Sequence, residues 1–123
     1  MTDYNITKIT TDNAITTLSF NVASLAAGID MDAVARQISE FIVKQKPKNL
    51  IVDFAGVKFF SSQTLGVLID ARKKMAAMKA NMVISGINPQ LYRVFKITNL
   101  DKLFVFYPDT QSAISELEKS QKN

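Results

Sequence analysis

The sequence contains no histidine, no cysteine and no tryptophan. Without imidazole there is no base for a Ser-His pair, no histidine metal ligand and no phosphohistidine. Without thiols, disulfides, thiolate metal sites and thiol nucleophiles are excluded. No run of about 18 apolar residues is present, so no segment is expected to span a membrane. The N-terminal Met1–Asn5 lacks the basic-then-apolar layout of a signal peptide, and a cytoplasmic location is expected. A concentrated positive charge is missing as well. The net charge of +4 is scattered over Lys44, Lys46 and Lys48, over Arg72 to Lys74, and over Lys119 and Lys122. Nucleic-acid binding calls for a basic stripe, with aromatics where bases stack, so no nucleic-acid partner is expected.

What is present is a core. At 123 residues and 47% apolar content, the chain is expected to form one domain over 1–123, with Ser120 to Asn123 fraying. Its organising stretch runs from Leu50 to Gly66. Leu50–Phe54 is a short β-branched run, the pattern of a strand buried on both faces. Ser61 and Ser62 stand where a helix must begin, with helix expected from Leu65 to Lys79. A hydroxyl there lies near unpaired N–H groups and the positive end of the helix dipole, a ready place for a phosphate.

Along the rest of the chain, Tyr4–Thr10 and Ala14–Phe20 read as strands of a hairpin turning at Thr11-Asp12-Asn13. Asn21 to Gly28 has no clear period and reads as an irregular connection. Asp30 is the expected cap of a helix carrying Met31, Val34, Ile38, Phe41 and Ile42 at steps of three and four, ended by Lys46-Pro47-Lys48. Met82–Ser85 reads as a strand, and Asn88-Pro89 as an N-cap with proline at the first helical position. Leu103–Tyr107 is the last expected strand, and Asp109 caps a final helix with Ala113, Ile114 and Leu117 apolar. The order is β-β-α-β-α-β-α-β-α. It implies an α/β domain with a mixed, mostly parallel sheet and about four helices packed mainly on one side.

Two enzymatic or phosphorelay readings fail on the residues. Asp53 at a strand end suggests an aspartate phospho-acceptor, but the acidic cluster and the later strand-end lysine that such a site needs are missing. Ser62 as a nucleophile would need Lys58 or Lys74 desolvated beside it, and nothing in the spacing supports that pairing. No catalysis, no metal and no cofactor are expected. Of Phe59 and Phe60, one should enter the core and the other cover the loop. Gly66 is expected to permit close packing of its helix on the sheet or on a partner.

The run Val52 to Leu68, which includes Phe59-Phe60-Ser61-Ser62-Gln63-Thr64-Leu65-Gly66, resembles the motif of the STAS domain of anti-sigma factor antagonists: a strand ending in Asp-Leu-Ser, then Asp-Ser-Ser-Gly-Leu-Gly opening a helix. Gly86 to Phe104, with Asn88-Pro89 and Thr98-Asn99-Leu100, is similar to the family's strand-end glycine, capped helix and Thr-Gly-Leu turn. The resemblance covers Leu50 to Leu117 well and the first 45 residues by pattern alone. It implies a protein that binds an anti-sigma factor doubling as a serine kinase, is inactivated by phosphorylation, and is restored by a serine phosphatase. The acceptor it implies is Ser62, with Ser61 or Thr64 as alternatives, and the partner surface is expected at Ser61, Ser62, Gln63, Thr64, Gly66 and Val67. Without that role, Ser62 is simply an N-cap worth about 1 kcal/mol. Ser61, Gln63 and Thr64 replace the family's Asp, second Ser and first Gly. Those departures motivate a second reading, a non-phosphorylated STAS scaffold or ligand module in a transporter-associated or signalling complex. The sequence assigns no oligomeric state.

Overall fold

A computed structural model describes residues 6–121. The elements are β1 (Thr7–Asp12), β2 (Ile15–Phe20), β3 (Ser24–Leu25), α1 (Ile29–Gln45), β4 (Asn49–Asp53), β5 (Phe59–Phe60), α2 (Ser62–Ala77), β6 (Asn81–Ser85), α3 (Pro89–Ile97), a 3-10 turn (Leu100–Lys102), β7 (Val105–Tyr107) and α4 (Thr110–Gln121). The main sheet has the order β1-β2-β4-β6-β7; β1 is antiparallel to β2 and the other pairs are parallel. The expected order of strands and helices holds, with two additions. β3 and β5 form a separate two-residue parallel pair, Ser24 opposite Phe59 and Leu25 opposite Phe60. Strands that short carry no periodicity, so the stretch read as irregular hid one of them.

The two faces of the sheet follow from alternation along the strands. Leu50, Val52 and Ile84 face one way and pack with α1 (Met31, Val34, Ile38, Ile42), α2 (Leu68, Ala71, Met75) and α3 (Leu91, Phe95). Ile51 and Val83 face the other way and meet Ala113 and Leu117 of α4 together with Ile15. Three helices thus cover one face and one covers the other. A row of aromatic contacts threads the larger core: Phe20 to Phe54 at 5.3 Å between ring centroids, Phe54 to Phe60 at 6.0 Å and Phe60 to Phe95 at 5.7 Å. That row supports the β4–α2 connection from below.

Several boundaries differ from expectation for local reasons. The hairpin turns at Asn13 and Ala14, both with positive φ (53° and 62°), because Asp12 pairs directly with Ile15 and leaves a two-residue loop. The expected first strand began at Tyr4; Tyr4 and Asn5 lie outside the described residues. The N-cap of α1 is Gly28 rather than Asp30, which sits inside the first turn. The C-cap of α1 is Lys46 in the left-handed conformation. α2 starts three residues earlier than expected and its C-cap is Met78, while Asn81 opens β6. Leu103 precedes the final strand, which begins at Val105 after the 3-10 turn. Asn99, at φ 62°, occupies the place where the family motif has glycine.

Candidate functional site

The site is the junction where β4 and β5 pass into α2. Asp53, at the end of β4, accepts a hydrogen bond from the Ala55 N–H at 3.0 Å and lies 3.3 Å from the Ser85 hydroxyl. It fixes the loop that follows β4. Gly86 (φ 68°) passes so close that an added Cβ would lie 2.8 Å from Asp53 Oδ1 and 3.0 Å from Ala55 N. Asn88 caps α3 by accepting from Leu91 N–H at 2.9 Å, and its side-chain amide donates to the Val57 carbonyl at 3.1 Å. The loop is therefore held from two sides before it reaches the serines.

The N-cap of α2 is Ser61, not Ser62. Its hydroxyl and the Thr64 N–H form one half of a capping box, and the Thr64 hydroxyl with the Ser61 N–H forms the other, each at 3.4 Å. Both halves are long, so the box alone holds the turn weakly. The Leu25 carbonyl of β3 strengthens it by accepting from Ser61 N–H at 3.1 Å and from the Thr64 hydroxyl at 3.2 Å. Thr64 is 1% exposed. Of the three expected hydroxyl acceptors it is the one that the fold turns inward, because its β-branched side chain fills the space between α2 and β3.

Ser62 is the first helical residue and its side chain is exposed. With Ser61 capping, its hydroxyl makes no hydrogen bond among the described residues. Neither Lys58 nor Lys74 pairs with it; Lys74 pairs with Asp70, one turn before it on α2. The first turn of α2 contains no acidic residue. An exposed, unengaged hydroxyl thus sits at the N-terminus of a helix that contributes no acid of its own to its first turn.

Gln63 has a role that sequence reading missed. Its Oε1 accepts from the Gly28 N–H at 3.0 Å, and its Nε2 donates to Asp32 Oδ1 at 2.6 Å. It bridges the first turns of α1 and α2. The available signal was the long amide where the motif has serine, since Glu and Gln are the side chains that reach an N-cap N–H. Gly66 and Val67 complete the expected surface. Gly66 is exposed and an added Cβ there would meet nothing within 4 Å, so its small size is not needed for packing on the sheet. Val67 is half-buried against the core.

Phe60 is 7% exposed in the core, whereas Phe59 is 52% exposed beside the serines. Successive residues of a strand face opposite ways, so one of the two had to point outward. A hollow of about 640 Å³ lies at the far end of the sheet, lined by Lys46, Lys48 and Lys79 among others. Lys46 and Lys79 lie at the carboxyl ends of α1 and α2, where cations suit the helix dipole. Among the described residues no group of three potential metal ligands occurs, and no helix is long and apolar enough to cross a membrane.

The family model for the STAS domain matches residues 8–113, most of the chain. The chain belongs to the STAS family. An anti-sigma F factor antagonist from Paenibacillus polymyxa is 25% identical over 87 residues, which is 71% of this chain and 74% of that protein. Among solved structures, a STAS domain protein from Planctomyces limnophilus superposes with a TM-score of 0.80 at 19% identity, covering 89% of this chain and 95% of the other. An anti-sigma factor antagonist from Mycobacterium paratuberculosis superposes at 0.77 with 21% identity, covering 91% and 92%. The Bacillus cell fate determinant SpoIIAA in its phosphorylated form superposes at 0.71 with 14% identity, covering 90% and 98%. These structural matches establish the α/β STAS fold. Within it, the residues that depart from the motif tie the start of α2 to its neighbours in two groups: Ser61 and Thr64 cap each other with Thr64 reaching Leu25, and Gln63 reaches Gly28 and Asp32.

Proposed function

We propose that this STAS domain is a phosphorylation-controlled antagonist that binds a serine-kinase anti-sigma factor through the start of α2, with Ser62 as the acceptor. Ser61, Ser62, Gln63, Gly66 and Val67 make up the contact surface, and Thr64 supports it from inside. The observation that carries this reading is the Ser62 hydroxyl, exposed and without a hydrogen-bond partner at the first position of a helix that has no acid in its first turn. A phosphate there adds about −1.5 to −2 charges. The helix N-terminus favours that charge, so the fold survives while a partner packed over the same spot is displaced. Phe59, half-exposed next to the serines, supplies an aromatic anchor for such a partner. A serine phosphatase would restore binding, and the expected compartment is the cytoplasm.

The test is the affinity of the chain for a serine-kinase anti-sigma factor, measured for the wild type, for Ser62→Asp and for protein carrying phosphoserine at 62. Binding should weaken by at least about tenfold, or 1.4 kcal/mol. Equal affinity for all three counts decisively against the switch. The neutral Ser61 in the motif's acidic position favours a second reading, a scaffold that is never phosphorylated. Mass spectrometry of protein from its native cell separates the two: phosphate on Ser62 supports the switch, and its absence under all growth conditions supports the scaffold.

A further inference from the structure

We propose that the Gln63 amide is a two-contact clasp through which charge on Ser62 acts on the first turn of α1. The biological use of this clasp rests on the Ser62 switch proposed above. Its existence and behaviour can be tested in the isolated chain. α1 opens at Gly28, whose φ is 128° and which offers no side chain to cap the turn. From another helix, Gln63 takes the part that an N3 Glu or Gln plays in a capping box: Oε1 accepts the Gly28 N–H at 3.0 Å, while Nε2 donates to Asp32 Oδ1 at 2.6 Å.

The two contacts need opposite ends of the same amide. A flipped amide would set NH₂ against an N–H and C=O against a carboxylate, so the clasp forms or breaks as a unit. Ser62 and Gln63 are consecutive in the first turn of α2. A phosphate on Ser62 would bring about −1.5 to −2 charges and three strong acceptor oxygens next to the clasp. Both features act in the same direction. Like charge repels the Asp32 carboxylate, and the phosphate oxygens compete for the Gln63 NH₂. Once Nε2 leaves Asp32, Oε1 is no longer held over Gly28, and the Gly28 N–H at the head of α1 loses its acceptor. The serine that the family motif places here has a single hydroxyl on a short stem and cannot span both contacts, so the coupling is specific to this chain's Gln63.

The experiment is amide exchange at Gly28, followed by NMR on the full chain with phosphoserine installed at 62 during translation. The Gly28 N–H should exchange about tenfold faster on phosphorylation, the scale of one lost hydrogen bond. Gln63→Ala should give the same acceleration without phosphate, and phosphate should add nothing further in that variant. Asp32→Asn, which removes the charge and keeps an acceptor oxygen, should reduce the phosphate effect. A Gly28 amide unmoved by phosphate in the wild type overturns the proposal, as does a full phosphate effect in Gln63→Ala or an undiminished one in Asp32→Asn. None of these readouts involves a partner, so failure of the clasp and failure of the binding switch are told apart.

Discussion

Two helices of this domain, α2 and α4, begin at the same end of the sheet on opposite faces, and their first turns are built differently. At α4 a carboxylate occupies the cap: Asp109 Oδ1 accepts the Ser112 N–H at 2.7 Å. Hydrogen bonds from the backbone and side chain of Ser112 hold the Asp109 carboxyl below its usual range. The adjacent Thr110 hydroxyl lies 3.1 Å from Ser85 Oγ, which in turn approaches Asp53. At α2 the cap is the neutral Ser61, no acid lies in the first turn, and Ser62 is exposed and unengaged. Every helix N-terminus attracts negative charge. At α4 that attraction is met by the helix's own capping carboxylate; at α2 the carboxylate within reach is Asp32 of α1, held through the Gln63 amide.

This contrast can be broken or sharpened by substitution. The largest effect is expected directly beneath α2. Phe60→Ala should lower stability by about 3–5 kcal/mol in denaturant unfolding, whereas Phe59→Ala should stay within about 0.5 kcal/mol. Similar costs for the two would contradict the supported, outward-facing junction described above. Next is Gly86→Ala, which places a Cβ against Asp53 and Ala55 at a positive φ. It should cost about 1–3 kcal/mol by the same measurement and loosen the loop that leads to the serines.

Smaller still is the comparison between adjacent serines. Ser61→Ala should cost about 1 kcal/mol and Ser62→Ala close to nothing, because only the former caps the helix. Reversed costs would make Ser62 the cap and remove its claim to be unengaged. The smallest effect is a pH dependence at α4. Asp109 has a lowered folded-state pKa, so its stabilisation is complete above the ordinary value of 3.8 and is lost as pH falls through the lowered one. The Ser112 amide shift should therefore be flat from neutral pH to about 4 and move only below that, and Asp109→Asn should abolish the movement. The Thr64 amide in the α2 turn should show no matching transition of its own cap, since Ser61 does not titrate.

Much of this architecture was legible in the residues. Leu50–Phe54 had to be a doubly buried strand, the steps of three and four in α1 marked its inner face at Met31, Val34, Ile38 and Ile42, and Asn88-Pro89 and Asp109 announced their helices. What escaped was whatever depended on a partner distant in sequence. Gly28 is the N-cap of α1 because its carbonyl accepts the Asp32 N–H, but the acceptor of its own N–H is Gln63, 35 residues later. β3 and β5 exist only as a pair, each too short to show a period alone. The division of labour between Ser61 and Ser62 was open because two adjacent serines are equally good caps by composition. Leu25 decides it by accepting from the Ser61 N–H and the Thr64 hydroxyl.

By itself, then, the amino-acid order determined the succession of strands and helices and the presence of hydroxyls at the head of α2, because hydrophobic spacing and capping chemistry act over a few neighbouring residues. Only the tertiary structure decided which hydroxyl is capped, which is buried and which is left to solvent. Those outcomes are set by contacts from Leu25, Gly28 and Asp32, groups that folding brings to α2 from more than thirty residues away.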